Sequence, residues 1–342
     1  MKAIRKTRND KGAEILEIPI PKCGPMDVIV KVGAAAMCKS DVEVFEWEPL
    51  VAAANYDLPF TLGHEFSGEV VEVGALVKNL SVGDKVAGET HIPCGICREC
   101  RTDNQHICGN NMGVLGRNVD GCFAEYIRLP EISAIKLPKD ADFAECSLLE
   151  PLGTAMHALQ KAQPSGANVA ILGVGTIGLM ACELAKLMGA TRVFAMDINP
   201  SRLEYSKTLG ADVTINGKEQ DLVSEIKKHT DHLDAVVDMT GSPHVINQAI
   251  DALSIAGRLV HVGMVQSELS VPRYMHRVVY RELVITGIFG RHMFRTWEPL
   301  LDLLKTGRID LKRYIGSKVS MWDYNKAIEI FDEINGRAIL VP

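Results

Sequence analysis

The sequence predicts an α/β protein of two domains, a partly open β-barrel and a doubly wound parallel sheet, and three observations lead there. Near residue 150 the texture changes from short Val-, Gly- and Pro-rich runs to alternating strand-like and helix-like segments. A glycine motif sits between an apolar strand and a helix. The composition, 47% hydrophobic and 23% charged over 342 residues, suffices for two buried cores and carries no signature of disorder.

In chain order, Val28-Ile-Val-Lys-Val32, Ser67-Gly-Glu-Val-Val-Glu-Val73 and Lys85-Val-Ala87 read as short strands, punctuated by turns such as Val82-Gly-Asp84. They assign residues 1–151 to the barrel domain. The parallel-sheet domain, residues 152–289, shows strands at Asn168–Leu172, Arg192–Met196, Ala235–Asp238 and Arg258–Val262, with helices ending at Leu187 and covering Ser201–Leu209. Beyond it, Trp297–Lys305 and Tyr324–Ile334 have helical periodicity and Ala338–Val341 reads as a strand, so residues 290–342 are expected to rejoin the barrel domain. The apolar stretch Ala167–Ala185 holds four glycines and Glu183, which suits a strand, turn and buried helix better than a membrane span.

The formal charge of −6 is scattered, with no basic stripe, which argues against nucleic acid or an anionic membrane as partner and leaves a small molecule as the default. Nine cysteines without an evident paired framework, in a chain with no signal peptide, point to a reducing cytoplasm.

Four of those cysteines, Cys94, Cys97, Cys100 and Cys108, form a dense Cys-x-x-Cys-x-x-Cys run closed by a fourth thiol. This spacing suits one tetrahedral Zn²⁺, and four thiolates leave no position for a substrate, so the site is structural. Chemistry must sit elsewhere.

The strand Asn168–Leu172 runs into Gly173-Val-Gly175-Thr176-Ile177-Gly178, followed by a helix starting near Ile177. The first glycine permits the turn, the second lets backbone approach a pyrophosphate, and the third lets helix and strand pack closely. The helix N-terminus then offers N–H groups to the phosphates. Asp197, at the next strand end, would accept hydrogen bonds from ribose hydroxyls and repel a 2′-phosphate, so NAD is favoured over NADP; Arg202 lies close enough in sequence to greet such a phosphate instead.

A second metal site is scattered. Cys38, His64-Glu65 and Glu150 offer a thiolate, an imidazole and carboxylates, and three protein ligands would leave a position for water or an alcohol. On composition alone a core cysteine beside a surface His-Glu pair is the plainer reading; the accompanying nucleotide and closed zinc motifs reverse that preference.

Gly63-His-Glu65, Gly68, Val82-Gly-Asp-Lys-Val86, the cysteine quartet and the glycine motif resemble the zinc-dependent medium-chain dehydrogenase/reductase family over essentially the whole chain. Gly88-Glu-Thr-His-Ile-Pro-Cys94, Gly121-Cys-Phe-Ala-Glu-Tyr126, Glu150-Pro-Leu-Gly153 and Gly290-Arg-His-Met-Phe-Arg-Thr-Trp297 are most similar to its L-threonine 3-dehydrogenases. The resemblance implies a GroES-like catalytic domain and a Rossmann domain. It further implies a catalytic zinc on Cys38, His64 and Glu65 with Glu150 as fourth or exchanging ligand, and Ser40 bonded to the substrate hydroxyl. Such a zinc acts as a Lewis acid on a secondary alcohol, from which hydride passes to NAD. His91 would lie near the substrate, or merely order its loop, and Arg291 and His292 could contact cofactor or substrate or belong to an exposed loop. Phe294 and Trp297 suit packing or subunit contacts in a homo-oligomer, with a tetramer favoured.

The chain departs from the threonine dehydrogenases where they read Cys-Gly-Thr-Asp-x-His. Here the segment is Cys38-Lys39-Ser40-Asp41-Val42-Glu43, so Glu43 replaces the relay histidine, and Thr154 stands where asparagine is usual. A polyol, inositol or sugar-acid dehydrogenase is therefore the alternative, and a nucleotide-binding relative without catalysis a further one.

Overall fold

The computed structural model describes residues 1–54, 56–110 and 112–342, and they divide into two compact units. One comprises 1–151 and 292–342, the other 152–291, so the boundary falls inside the helix Leu149–Ala162.

The first unit is organised by the ten-residue strand Asp27–Ala36, in which Val28, Ile29, Val30, Val32, Ala34, Ala35 and Ala36 are buried. Along one edge it pairs antiparallel with Glu65–Val73. The other edge is shared between Tyr126–Pro130 and the C-terminal strand Arg337–Val341. Lys85–Gly88 and Ala134–Lys136 extend the sheet on one side and Ile315–Ser320 on the other. A three-stranded sheet of Glu14–Glu17, Lys2–Lys6 and Phe60–Thr61 completes the partly open barrel. Ile4, Val30, Phe66, Val86, Phe123, Ile127 and Leu340 fill its interior. Gly88 has room only for hydrogen, since a Cβ there would stand 2.0 Å from the Phe66 ring.

The second unit carries a six-stranded, wholly parallel sheet. Numbered in chain order, β1 is Asn168–Leu172, β2 Arg192–Asp197, β3 Val213–Asn216, β4 Ala235–Asp238, β5 Arg258–His261 and β6 Val284–Gly287, and their spatial order is 3-2-1-4-5-6. This is a doubly wound sheet, and the whole fold is α/β as predicted. The stretch Ala167–Ala185 resolves into β1, a glycine turn and the start of the helix Thr176–Leu187, and no helix among the described residues is long and apolar enough to cross a membrane.

Two differences from the sequence reading are instructive. The four strands it identified are the central ones; β3 and β6 are the outer strands, the first largely half-buried and the second largely exposed, and neither offers a continuous apolar run. The helix expected at Tyr324–Ile334 stops at Glu329. Its last turn loosens into i→i+3 bonds before Gly336, at φ +112°, sets the chain into the final strand.

Candidate active site

Two groups of metal-type ligands gather in the first unit, each with its donor atoms within 4.8 Å of one another: Cys94, Cys97, Cys100 and Cys108, and Cys38, His64 and Glu65. All nine cysteines are free thiols.

In the quartet, Cys94 and Cys100 Sγ are 4.0 Å apart and Cys97 and Cys108 Sγ 3.7 Å. A zinc tetrahedron with Zn–S bonds of about 2.3 Å has edges of about 3.8 Å, so the spacing fits. Backbone N–H groups of Cys97, Cys94 and Cys100 point at the sulfurs of Cys94, Cys108 and Cys97. Those of Ile96 and Cys97 bring the Cys94 thiol down to about 6. Gly95, at φ +75°, makes the tight turn between the first two ligands.

The trio is assembled from distant elements. Cys38 caps the helix Lys39–Glu46 and its N–H donates to Asp41 Oδ2 at 3.0 Å. His64 and Glu65 enter the strand Glu65–Val73 after Gly63, whose φ of +89° and contact with the Phe123 ring exclude a side chain. Arg337, at the start of the last strand, forks onto Glu65 with bonds of 3.0 and 2.7 Å and reaches Cys38 Sγ at 3.6 Å. Burial would raise the Cys38 thiol, but Arg337 and His64 outweigh it and draw it down to about 6. His64 Nδ1 faces Asp41 Oδ1 across 3.3 Å, with both atoms buried. Burial opposes charge on His64, yet Asp41 and Cys38 raise it well above its ordinary range. Cys38, Asp41, Glu65 and Glu150 thus place four acidic groups near the Arg337 guanidinium, with Arg117 4.0 Å from Asp41, and the thiolate, imidazole and carboxylate donor set suits a divalent cation.

Glu150 does not join the trio. Its Oε1 accepts a 2.5 Å hydrogen bond from Thr90 Oγ1, with both side chains buried. His91 is buried too, its Nδ1 2.8 Å from Glu89 Oε1, and Trp297 Nε1 donates to the other oxygen of Glu89 at 2.8 Å. Trp297 is therefore an internal tie. His292 Nε2 meets the Asp103 carbonyl oxygen at 2.6 Å beside the cysteine lobe.

Ser40 occupies the first turn of the Cys38-capped helix, half-buried, and its carbonyl accepts from Arg117 at 2.9 Å. Lys39 is exposed. Glu43 is only 7% exposed, so it is no solvated surface residue. Burial, then Glu48 and Cys38, push its carboxyl up to about 7.

In the second unit, Gly173 turns at φ +88°, and a Cβ on Gly178 would lie 2.1 Å from the Gly173 carbonyl oxygen. Nothing stands within 4 Å of where a Gly175 side chain would be, which leaves an open cradle at the N-terminus of the helix Thr176–Leu187. Thr176 and Ile177 form its first turn. Asp197 Oδ2 braces this loop by accepting from Val174 N–H at 2.8 Å, and Oδ1 accepts from Asn199 N–H at 2.9 Å. Each oxygen keeps a lone pair for a further donor. Arg202 lies in the first turn of Pro200–Thr208, capped by Asn199. Arg291 is buried at 2% exposure and packs over Gly153, where a Cβ would meet it at 2.6 Å, so it does not belong to an exposed loop.

Three side chains were not singled out from sequence. Arg337 is a lone cation before a terminal strand, Thr90 sits inside a segment noted for its neighbours, and Asp41 carries only the weak signal of an acid in a helix's first turn.

The model of the alcohol dehydrogenase GroES-like domain matches residues 24–139, and that of the zinc-binding dehydrogenases matches 176–306. An L-threonine 3-dehydrogenase of Caldanaerobacter subterraneus subsp. tengcongensis is 39% identical over 100% of this chain and 99% of its own. The chain belongs to the zinc-dependent medium-chain dehydrogenase/reductase family. Among solved members, galactitol-1-phosphate dehydrogenase from Escherichia coli superposes with a TM-score of 0.90 at 28% identity, covering 100% of both chains. A protein of Sinorhizobium meliloti 1021 described as a zinc-binding dehydrogenase, bound to NADP, has a TM-score of 0.89 at 28% identity over 100% and 99% of the two chains. As a family member the protein is an oxidoreductase.

The buried Glu43 yields a stability prediction. Folding raises its pKa to about 7, so the folded state holds this proton more tightly than the unfolded chain, and the group's contribution to stability falls as pH rises from the ordinary carboxylate range through about 7. Glu43→Gln should therefore gain in Tm relative to the wild type as pH rises from 4.5 to about 7 and level off above it, read by thermal unfolding at a series of pH values. A constant difference across that range would contradict the shifted pKa.

Proposed function

We propose that this dehydrogenase oxidises a secondary alcohol with NAD, L-threonine to 2-amino-3-oxobutanoate being the first choice of substrate. The observation that carries the reading is the three-ligand cluster of Cys38, His64 and Glu65, a donor set that leaves zinc a coordination position open. The threonine assignment draws on the 39% identity with an L-threonine 3-dehydrogenase over the full chain. The likeness to galactitol-1-phosphate dehydrogenase favours a polyol as second reading.

A zinc ion bound by the trio would supply Lewis acidity to the alcohol oxygen. The chain's own groups do the rest. Ser40 takes the hydroxyl proton, and Glu43, its carboxyl raised to about 7, receives it near neutral pH. Arg337 holds Glu65 and Cys38 in place while sharing their charge. His91, its Nδ1 turned to Glu89, is a candidate contact for a polar group of the substrate. NAD, when bound, would supply the acceptor for the hydride of the carbinol carbon, so that the alcohol becomes a ketone with release of one proton. Gly173, Gly175 and Gly178 with the helix N-terminus receive the pyrophosphate, and Asp197 selects the ribose without a 2′-phosphate. Arg202 and Arg291 remain candidate cofactor contacts. The cysteine quartet would hold a second zinc in each chain and fix the loop that carries it. The outer strand β6, with Val284 and Ile285 exposed beside Tyr280 and Phe289, suits a homo-oligomer, for which we favour a tetramer.

Threonine, polyols, inositols and aldonates assayed by NADH absorbance should show the highest kcat/KM for L-threonine; a preference for a polyol would transfer the assignment to the second reading. Metal analysis should find two zinc ions per chain, and mild chelation should abolish turnover while the Tm of the remaining fold is retained. One ion per chain after purification with zinc would count against the three-ligand centre. Asp197→Ser should narrow the ratio of kcat/KM for NAD over NADP by about tenfold, and a wild type that prefers NADP would refute the role of Asp197.

A further inference from the structure

Three strands of the parallel sheet end level with one another, since Leu172 of β1 and His261 of β5 are both register partners of Asp238 in β4. β1 and β4 lie side by side where the strand order reverses, the place at which a doubly wound sheet takes a dinucleotide. Asp238 is fully buried there, and a carboxylate so placed is costly unless donors meet it. Most of them come from one loop. Oδ1 accepts from Thr240 Oγ1 at 2.6 Å and from Thr240 N–H at 3.1 Å, and Oδ2 accepts from Gly241 N–H at 3.3 Å. His261 Nδ1 stands 3.0 Å from Oδ2, and Thr240 Oγ1 in turn accepts from Ser242 N–H at 3.1 Å. Neighbouring backbone closes on the same loop. A Cβ on Gly263 would lie 2.2 Å from the Gly241 nitrogen, and a Cβ on Gly173 would meet Thr240 Cγ2 at 3.0 Å, so the loop lies against both the chain after β5 and the glycine turn. The sheet has no need of the charge, because two residues earlier in β4 and β5 the partners Val236 and Leu259 pack as ordinary core.

We infer that Asp238 is a positioning residue for the nicotinamide half of the cofactor, holding the loop Met239–Ser242 through Thr240 so that its backbone is set before the ligand arrives. The inference rests on the NAD reading proposed above. A doubly wound sheet is built of two mononucleotide-binding halves, here β1 to β3 and β4 to β6. The glycine turn and Asp197 belong to the first half, and the Asp238 loop opens the second. Asp238 has no exposed surface, so it acts on a ligand only through that loop. With the loop already fixed, binding is spared the entropy of ordering it.

The test titrates NADH and, separately, AMP into the full chain loaded with zinc, by calorimetry, with Tm read alongside. Thr240 is exposed, so Thr240→Val keeps the shape of a surface side chain while removing its hydroxyl. It should raise the Kd for NADH on the order of tenfold and leave that for AMP, which fills only the first half, unchanged. Thr240→Ser should recover the lost affinity. Asp238→Asn should also weaken NADH selectively, and joined with Thr240→Val should cost less than the product of the two single effects, because both break one hydrogen bond. Should Asp238→Asn not fold, the two Thr240 variants decide alone. An unchanged Kd for NADH in Thr240→Val, an equal loss for AMP, a Thr240→Ser that behaves like Thr240→Val, or fully multiplicative effects in the double variant would each overturn the inference and leave the dinucleotide reading standing. A wild type that binds neither NADH nor AMP would overturn both.

Discussion

The Arg337 guanidinium, buried at 4% exposure and forked onto Glu65, is the interaction on which the cluster of Cys38, His64 and Glu65 depends. Without a counter-charge the Cys38 thiolate and the carboxylates of Glu65, Asp41 and Glu150 could not share one desolvated place. The same contact explains why the chain returns to its first unit after the parallel sheet. The strand Arg337–Val341 buries Ala338, Ile339 and Leu340 and sets Arg337 at its head, so apolar burial secures a charge where the ligands need it. Removing one partner of such a fork would leave the other buried and unpaired, which is more damaging than the net worth of the pair.

The short helix Lys39–Glu46 gathers the remaining groups. Cys38 caps it, Asp41 in its first turn accepts the Cys38 N–H and faces His64, and Arg117 anchors the Ser40 carbonyl. At its far end Lys6, fully buried, donates to the carbonyl of Phe45 and lies over the Trp47 ring. The helix is thereby pinned at both ends, which keeps a metal ligand, a hydroxyl and a titrating carboxylate in fixed relation.

The second unit solves a different problem with fewer charges. Gly173 and Gly178 remove the side chains that would prevent helix and strand from closing on each other, and the Asp197 carboxylate braces the loop through Val174. One side chain thus shapes the phosphate loop and stands where a ribose would be read.

The sequence by itself determined the fold class, the four inner strands of the parallel sheet, the cysteine quartet and the glycine loop, because each is written in contiguous residues whose spacing reflects local geometry. The outer strands β3 and β6 escaped, being half-exposed, and the last helix was read too long because apolar residues continue past its end. Cys38, His64 and Glu65 were legible from the residues as ligand types, and as one site only through the family resemblance. The tertiary structure brings them together, and it alone decided that Thr90 donates to Glu150, that Glu43 is buried, and that Arg337 reaches Glu65 from 272 residues away. Such contacts arise from packing between distant elements, and no periodicity along the chain records them.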